Sequence, residues 1–344
     1  MNSEKRIVIL HEALPTAATA DEQDTLVQVE TIGATLRMLG YVPVPMPVTL
    51  DLSGLPAELE KSKPFLIFNL VESLGSRGRY IHFVPGLLEE LGIPFTGSGE
   101  TALFLTTGKT LSKEVMFRSG IATPKWQSLR SGESDGVSVR LPCIIKPVRE
   151  DASKDISDTS VKYNQEQYDA ALNRLQRSRG DEYFVEEYIE GREINIALLA
   201  NRGQPEVLPP SEILFDAFPS GKPHIVNYHA KWHSDSFEYH HTPRTFEFRP
   251  GDRPMLRQLK KIACRCWEVF ALRGYARIDF RIDADNRPWV IDVNANPCLS
   301  QDSGFIASAS TAGYTYEGVI TRILDEAYFH SPFSRRKRLT PSST

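Results

Sequence analysis

"ARIDFRIDADNRPWVIDVNANPCLS", residues 276–300, decides the reading of the chain. Two alternating runs flank Asp285-Asn286, a pair suited to a two-residue hairpin turn. With that turn, residues whose numbers sum to 571 face each other, so Asp279 opposes Asp292 and Arg277 opposes Asn294. Side chains alternate along a strand, and all four then share one face. Opposed like charges destabilise a sheet, so something positive belongs between them. Arg277 alone is one candidate. The other is a hard divalent cation, because carboxylate and amide oxygens without His or Cys suit Mg²⁺ or Mn²⁺. A slip of one residue would put the acids on opposite faces.

The 344 residues are 41% hydrophobic and 24% charged, ordinary for a globular chain of two or three domains. A net charge of −4 argues against a general nucleic-acid or membrane-surface binder. The basic stretch SRRKR, residues 334–338, reads as part of a solvated, disordered tail over 331–344. No apolar run approaches the ~18 residues of a membrane span. The start, MNSEKRIVIL, leads straight into a strand and lacks a signal peptide's apolar core. Cys143, Cys264, Cys266 and Cys298 give no disulfide framework. These features predict a cytoplasmic protein.

Outward from the hairpin, residues 5–10, 41–45 and 65–69 read as strands, separated by a helix over 22–39 that stops at Gly40. A helix over 80–91 follows. Strands alternating with helices predict a parallel, layered α/β unit over the first hundred residues or so. Ligands in such sheets bind beyond the strand carboxyl ends, here His11-Glu12 and Asn69 to Glu72. Further helices are expected over 109–120, 164–177, 253–272 and 308–328. Strands are expected over 141–148, 183–200 and 205–214, with a mobile polar loop at 150–160 and irregular chain over 215–250. The later two thirds read as α+β with antiparallel hairpins.

Lys109, Lys146 and Lys231 sit in strand or loop contexts. Lys146 interrupts the apolar run CIIKPV, where an unpaired ammonium is costly and an anionic partner would resolve the cost. Separated lysines, a mobile polar loop and a carboxylate pair are the parts of a nucleotide-triphosphate site.

In order along the chain, IFNLVESLGSRGRYIHFVPGLLEELGIPFTGSG, TTGKTLSKEVMFRSGIATPKW, PCIIKPVRE, FVEEYIEGREINIALL and the hairpin resemble the ATP-grasp enzymes of the D-alanine–D-alanine ligase branch. The resemblance spans about residues 5–325. It implies an ATP-grasp fold: an N-terminal parallel α/β domain over 1–105, a small central domain over 106–187 with a lid at 150–160, and a C-terminal catalytic domain over 188–330. It also implies an ADP-forming carboxylate–amine ligase using ATP and Mg²⁺ (or Mn²⁺) on small-molecule substrates, often as a homodimer. By the same resemblance, Lys109 and Lys146 contact ATP phosphates under a lid carrying Ser153. Glu186 meets the adenine amino group, the backbone of Glu187, Tyr188 and Ile189 its edge, and Glu193 the ribose. Lys231 reaches the transferred phosphate. Asp279, Asp292 and Asn294 hold magnesium. Arg277 stabilises the tetrahedral intermediate, and Ser303 holds a substrate carboxylate.

The acceptor half departs from that pattern. VESLGSRGRY, with Glu72 and Arg77, replaces the branch's His and acidic residues, and DASKDIS keeps Ser153 but has no glycine. The residue after Lys231 is Trp232, Pro297-Cys298-Leu299 follows the asparagine, and Asp292 replaces a glutamate. Glu12, Glu22, Asp24 or Glu72 could hold a substrate ammonium. A carboxylate–amine pair other than D-alanine is therefore expected; D-alanine–D-alanine ligase proper and a non-catalytic ATP-binding homologue are the alternatives. His229 and His233 have the i,i+4 spacing of a zinc pair, but the surrounding chain shows no helical face and reads as substrate-contacting or surface histidines. Cys298 has no base near it in sequence and reads as packing.

Overall fold

The computed structural model describes residues 5–129, 139–149, 153–176 and 182–330. The predicted tail over 331–344 and lid residues 150–152 lie outside them. The chain begins with β1 (Arg6–Glu12), α1 (Ala20–Met38), β2 (Val42–Val48), α2 (Leu55–Ser62), β3 (Leu66–Asn69) and α3 (Phe83–Glu90). The three strands form a parallel sheet in the order β2-β1-β3. Ile7, Val8, Ile9 and Leu10 are fully buried, as a run without polar alternation requires when both faces of a parallel sheet are covered. A capping box between Thr19 and Glu22 starts α1. The carboxyl ends of β1 and β3 bring Glu12 and Asn69 to one edge.

Gly108 separates α4 (Glu100–Thr107) from α5 (Lys109–Arg118). Then follow β4 (Trp126–Ser128), β5 (Cys143–Pro147), β6 (Val161–Lys162), α6 (Gln165–Gln176) and β7 (Tyr183–Glu187). These strands make an antiparallel sheet in the order β4-β7-β5-β6. The rest of the chain is β8 (Arg192–Asn201), β9 (Gln204–Val207), β10 (Ser211–Ile213), α7 (Tyr228–Trp232), α8 (Phe237–His240), β11 (Arg244–Thr245), α9 (Arg253–Val269), β12 (Tyr275–Ile282), β13 (Pro288–Asn294), α10 (Gly304–Thr311) and α11 (Tyr316–Phe329). Its sheet runs β11-β10-β8-β12-β13, with β9 also on β8. The apolar stripe Met255, Leu259, Ala263 and Cys266 seats α9 on this sheet against Ile196, Ile278 and Phe280. A second core joins Leu199, Tyr275 and Phe305 to Ile7 and Phe68 of the parallel sheet. Among the described residues no helix is long and apolar enough to cross a membrane.

Several elements differ from the sequence expectation. α2 and α4 were not expected. The irregular region 215–250 contains α7, α8 and β11, and one expected final helix is two, parted at Gly313 with φ of 92°. The described part of the expected mobile loop is tied down: Ser153 Oγ donates to the Val226 carbonyl at 2.8 Å, and Asn227 donates to Asp158 at 3.0 Å. It also lacks no backbone freedom for want of glycine, because Ser153 and Asp155 themselves take φ of 60° and 59°.

The hairpin corrects the sequence argument in an instructive way. Asp279 does pair with Asp292, and Arg277 with Asn294. Closer to the turn, however, Phe280 pairs with Val290 and Ile282 with Pro288, one residue out of the expected register. The loop therefore has three residues, Ala284 to Asn286, with Asn286 left-handed at φ of 58°. Ile291 is an extra residue in β13, a bulge that restores the register at the acids.

Gly191, between β7 and β8, has φ of 139°, and a Cβ there would sit 2.0 Å from the Ile282 carbonyl oxygen. Both the backbone angle and the hairpin's own backbone forbid a side chain. Gly191→Ala is expected to destabilise the fold by about 3 kcal/mol. A denaturation midpoint left unchanged by the substitution would contradict that close approach.

Candidate functional site

A cavity of about 620 Å³ opens among the three sheets. Lys109, Lys146, Lys231, Glu186 and Glu193 line it, as do Arg277, Asp279, Asp292, Asn294, Ser153 and Ser303. Glu187, Tyr188 and Ile189 complete the set expected from the sequence. The structure thus gathers every expected residue around one space, from elements more than a hundred residues apart.

Each opposed acid has a cation of its own. The Arg277 guanidinium grips Asp279 through two bonds, Nε to Oδ1 at 2.7 Å and Nη2 to Oδ2 at 2.8 Å. Asn195 donates to the same Oδ1 at 2.8 Å. The Lys109 ammonium, at the start of α5, lies 3.3 Å from Asp292 Oδ1. Burial alone would raise the Asp292 carboxyl, but Lys109, Arg277 and Lys146 outweigh it and hold it below the usual carboxylate range. Arg277 therefore serves Asp279 directly, and the fold needs no metal to set the acids side by side. The oxygen donors fit one nonetheless: Asp292 keeps its side chain 26% exposed to the cavity, Asp279 and Asn294 flank it, and no sulfur or imidazole intrudes. Among the described residues no cluster of three or more His, Cys, Asp or Glu forms a self-sufficient metal cage. That suits Mg²⁺, which completes its shell with water and phosphate.

The lysine predicted to need an anion has one. Lys146 lies 2.6 Å from Glu186 Oε1, and Glu186 also pairs with Lys113. Glu186 and Lys113 are each 1% exposed. Burial raises the Glu186 carboxyl, but the two ammonium groups prevail and keep it below its ordinary value. Lys113 was not foreseen, because it reads as one more helix-surface lysine; Thr123 Oγ1 accepts a further bond from it at 2.9 Å. Arg281 was also missed. Its guanidinium binds the Ile189 and His224 carbonyls at 2.9 and 3.0 Å and Glu193 at 3.3 Å, tying the β7–β8 link to the hairpin. The Ile189 carbonyl is thereby occupied. Burial raises the Glu193 carboxyl, with Arg281 opposing and Asp279 adding to the effect.

Asn227 caps α7, its Oδ1 accepting from Ala230 N at 2.9 Å, and α7 carries Lys231 into the cavity. Burial and the neighbouring Arg277 lower the Lys231 ammonium, while Asp279, Glu193 and Asp292 offset the shift. The same helix holds His229, whose ring lies 4.6 Å from that of His233. A helical turn therefore does carry the histidine pair, contrary to the sequence expectation. Ser303 caps α10 by accepting from Ile306 N at 3.3 Å, which leaves its hydroxyl hydrogen for another partner.

The remaining wall is acidic. Glu12 is buried, accepting from Thr25 Oγ1 at 2.9 Å and Glu72 N at 3.2 Å, and burial holds its carboxyl above the usual range. Glu22 is engaged in starting α1, accepting from Thr19 N at 2.9 Å. Asp24 accepts from Ser300 Oγ at 2.9 Å and Cys298 Sγ at 3.2 Å. Tyr228 of α7 reaches across to Asp21 at 2.8 Å.

The layering and the convergence of lysines, acids and arginine on one cavity define a nucleotide-dependent ligase of the ATP-grasp type. Solved structures agree on the fold: the D-alanine–D-alanine ligase of Bacillus anthracis complexed with ATP superposes with a TM-score of 0.70 at 21% identity, over 97% of this chain and 99% of that one. The family model for the D-ala D-ala ligase C-terminus matches residues 115–325. A D-alanine–D-alanine ligase of Bordetella petrii is 32% identical over 254 residues, 72% of either chain. An uncharacterised protein of Sinorhizobium fredii is 32% identical over 263 residues, 76% of this chain and 74% of its own. The chain belongs to the D-alanine–D-alanine ligase family.

Two outcomes follow from this geometry. Lys113→Met leaves the sealed Glu186 carboxylate with Lys146 alone, and is expected to cost about 1 to 3 kcal/mol in chemical denaturation. Adding Glu186→Gln to it should recover part of that loss; a double variant no more stable than the single would refute the pairing. Separately, burial pushes the Cys298 thiol up, and Asp24 and Glu72 push it further. At pH 8 its alkylation by iodoacetamide, followed by mass spectrometry, is expected to run at less than about a tenth of the rate of a free cysteine.

Proposed function

We propose that the chain is an ADP-forming acid–amino-acid ligase, joining a small carboxylate to the amine of a small amino-acid-like substrate. ATP with Mg²⁺ drives the family's reaction. The observation that carries the reading is the convergence of Lys109, Lys146 and Lys231 with Asp279, Asp292 and Asn294 on one cavity. A carboxylate oxygen of the first substrate displaces ADP from the γ-phosphorus and forms an acyl phosphate. The second substrate's amine then attacks the acyl carbon, the carbon–oxygen bond to phosphate breaks, and the amine's proton leaves as the amide forms.

In this reading Lys109 and Lys146 hold the phosphates and Lys231 meets the transferred one. The free edge of Arg277 supports the oxyanion at the acyl carbon. Glu186 to Ile189 and Glu193 border the nucleoside, Ser303 holds a substrate carboxylate, and the segment bearing Ser153 keeps water from the acyl phosphate. Mg²⁺, when bound, neutralises phosphate charge, and Asp292, Asp279 and Asn294 would hold it. We place domain boundaries near residues 105 and 187; the three sheets support that division, one lying before residue 105, one between the two points and one beyond residue 187.

With ATP, Mg²⁺ and a panel of amino acids, release of ADP and phosphate is expected. AMP with pyrophosphate would overturn the mechanism. Asp292→Asn should lower turnover by about a hundredfold. The Bordetella petrii relative favours D-alanine as substrate. Silence with D-alanine alone, while another pair releases ADP, would remove that narrower reading.

A further inference from the structure

Arg244, on the short edge strand β11, lines the same cavity beside Ser303 and Gly304. The proposed reaction gives it no task. Its guanidinium lies against the first turn of α10: a Cβ on Gly304 would stand 3.3 Å from Nη2, 3.5 Å from Nε and 3.6 Å from Cζ. The fork thus lies in van der Waals reach of the backbone at Gly304. The two cations near this end of the cavity differ in their commitments. Arg277 spends Nε and Nη2 on Asp279. Arg244 closes no ion pair among the described residues; desolvation and the charge of Arg277 lower its guanidinium, and Asp302 opposes them. Arg244 is exposed on the cavity side of the edge strand, and two like charges facing one cavity attract an anion between them.

Ser303 is a neutral donor, sufficient for one carboxylate. Arg244 adds a full positive charge in a planar fork that matches a carboxylate or phosphate through two parallel bonds. We propose that the substrate seated at Ser303 carries a second anionic group, and that Arg244 receives it and selects for it. This rests on the ligase reading for the identity of the Ser303 subsite. The substrate class it names is an amino acid with an acidic side chain, carboxylate or phosphate, and the two are separated by the panel below.

The test uses the full chain with Mg²⁺ and adenosine 5′-(β,γ-imido)triphosphate, which cannot turn over. Alanine, serine, aspartate, glutamate and O-phosphoserine, in both enantiomers, are titrated calorimetrically. At least one dianionic member is expected to bind about 10- to 100-fold more tightly than alanine and serine. Arg244→Met keeps the apolar stem and removes the charge. It should erase that preference while changing alanine affinity by less than about twofold. Three results would overturn the inference: no preference for any dianionic member, a preference that survives Arg244→Met, or an equal loss for all members. Nucleotide affinity of the variant, measured alongside, reports an intact fold. ADP release with the preferred member is read separately, so a site that binds the dianion without turnover counts against the ligase reading and not against Arg244.

Discussion

Ile291 is one residue more than its strand needs, and the orientation of the acidic pair depends on it. Without the bulge, the register set by the three-residue turn would oppose Asp279 to Ile291. Asp292 would then point away from the cavity, because a slip of one residue exchanges the faces of a strand. The bulge keeps both carboxylates on the side where Lys109 and Arg277 can meet them. Bulges bend and twist a strand where a side chain must be re-aimed, and this one lies at the most charged point of the molecule.

The charges are arranged in closed local groups. Arg277 with Asp279, Lys109 with Asp292, and Lys113 and Lys146 with Glu186 each set a cation against a carboxylate that the fold removes largely from water. Lys231 and Arg244 line the same cavity outside these groups.

Much of this was legible in the sequence, and the misses have physical causes. The apolar run RIVIL, lacking alternation, announced a doubly covered parallel strand. The facing of Asp279 and Asp292 was inferred correctly from an incorrect turn, since an uncounted loop residue and an uncounted bulge cancelled. Nothing in RPWVID marks Ile291 as unpaired, because bulges follow from the twist of the sheet and the strand's partners. Lys113 was illegible for another reason: KTLSKEVMFR has a surface helix's composition, and only the fold reveals the buried carboxylate beneath it. Arg244 and Arg281 sit among many arginines, and no spacing distinguishes one whose neighbours come from distant segments of the chain.

The triad of Glu186 with its two lysines has a consequence for ligand entry. Lys146 faces the cavity with its side chain 15% exposed, whereas Lys113 is sealed at 1%. A polyanion approaching from the open side competes with Glu186 for Lys146 alone. When Lys146 turns outward, the carboxylate remains matched by its inner neighbour, and no stranded charge opposes the exchange. The interior thus contains a spare counter-ion, and the outer ammonium is free to follow its guest.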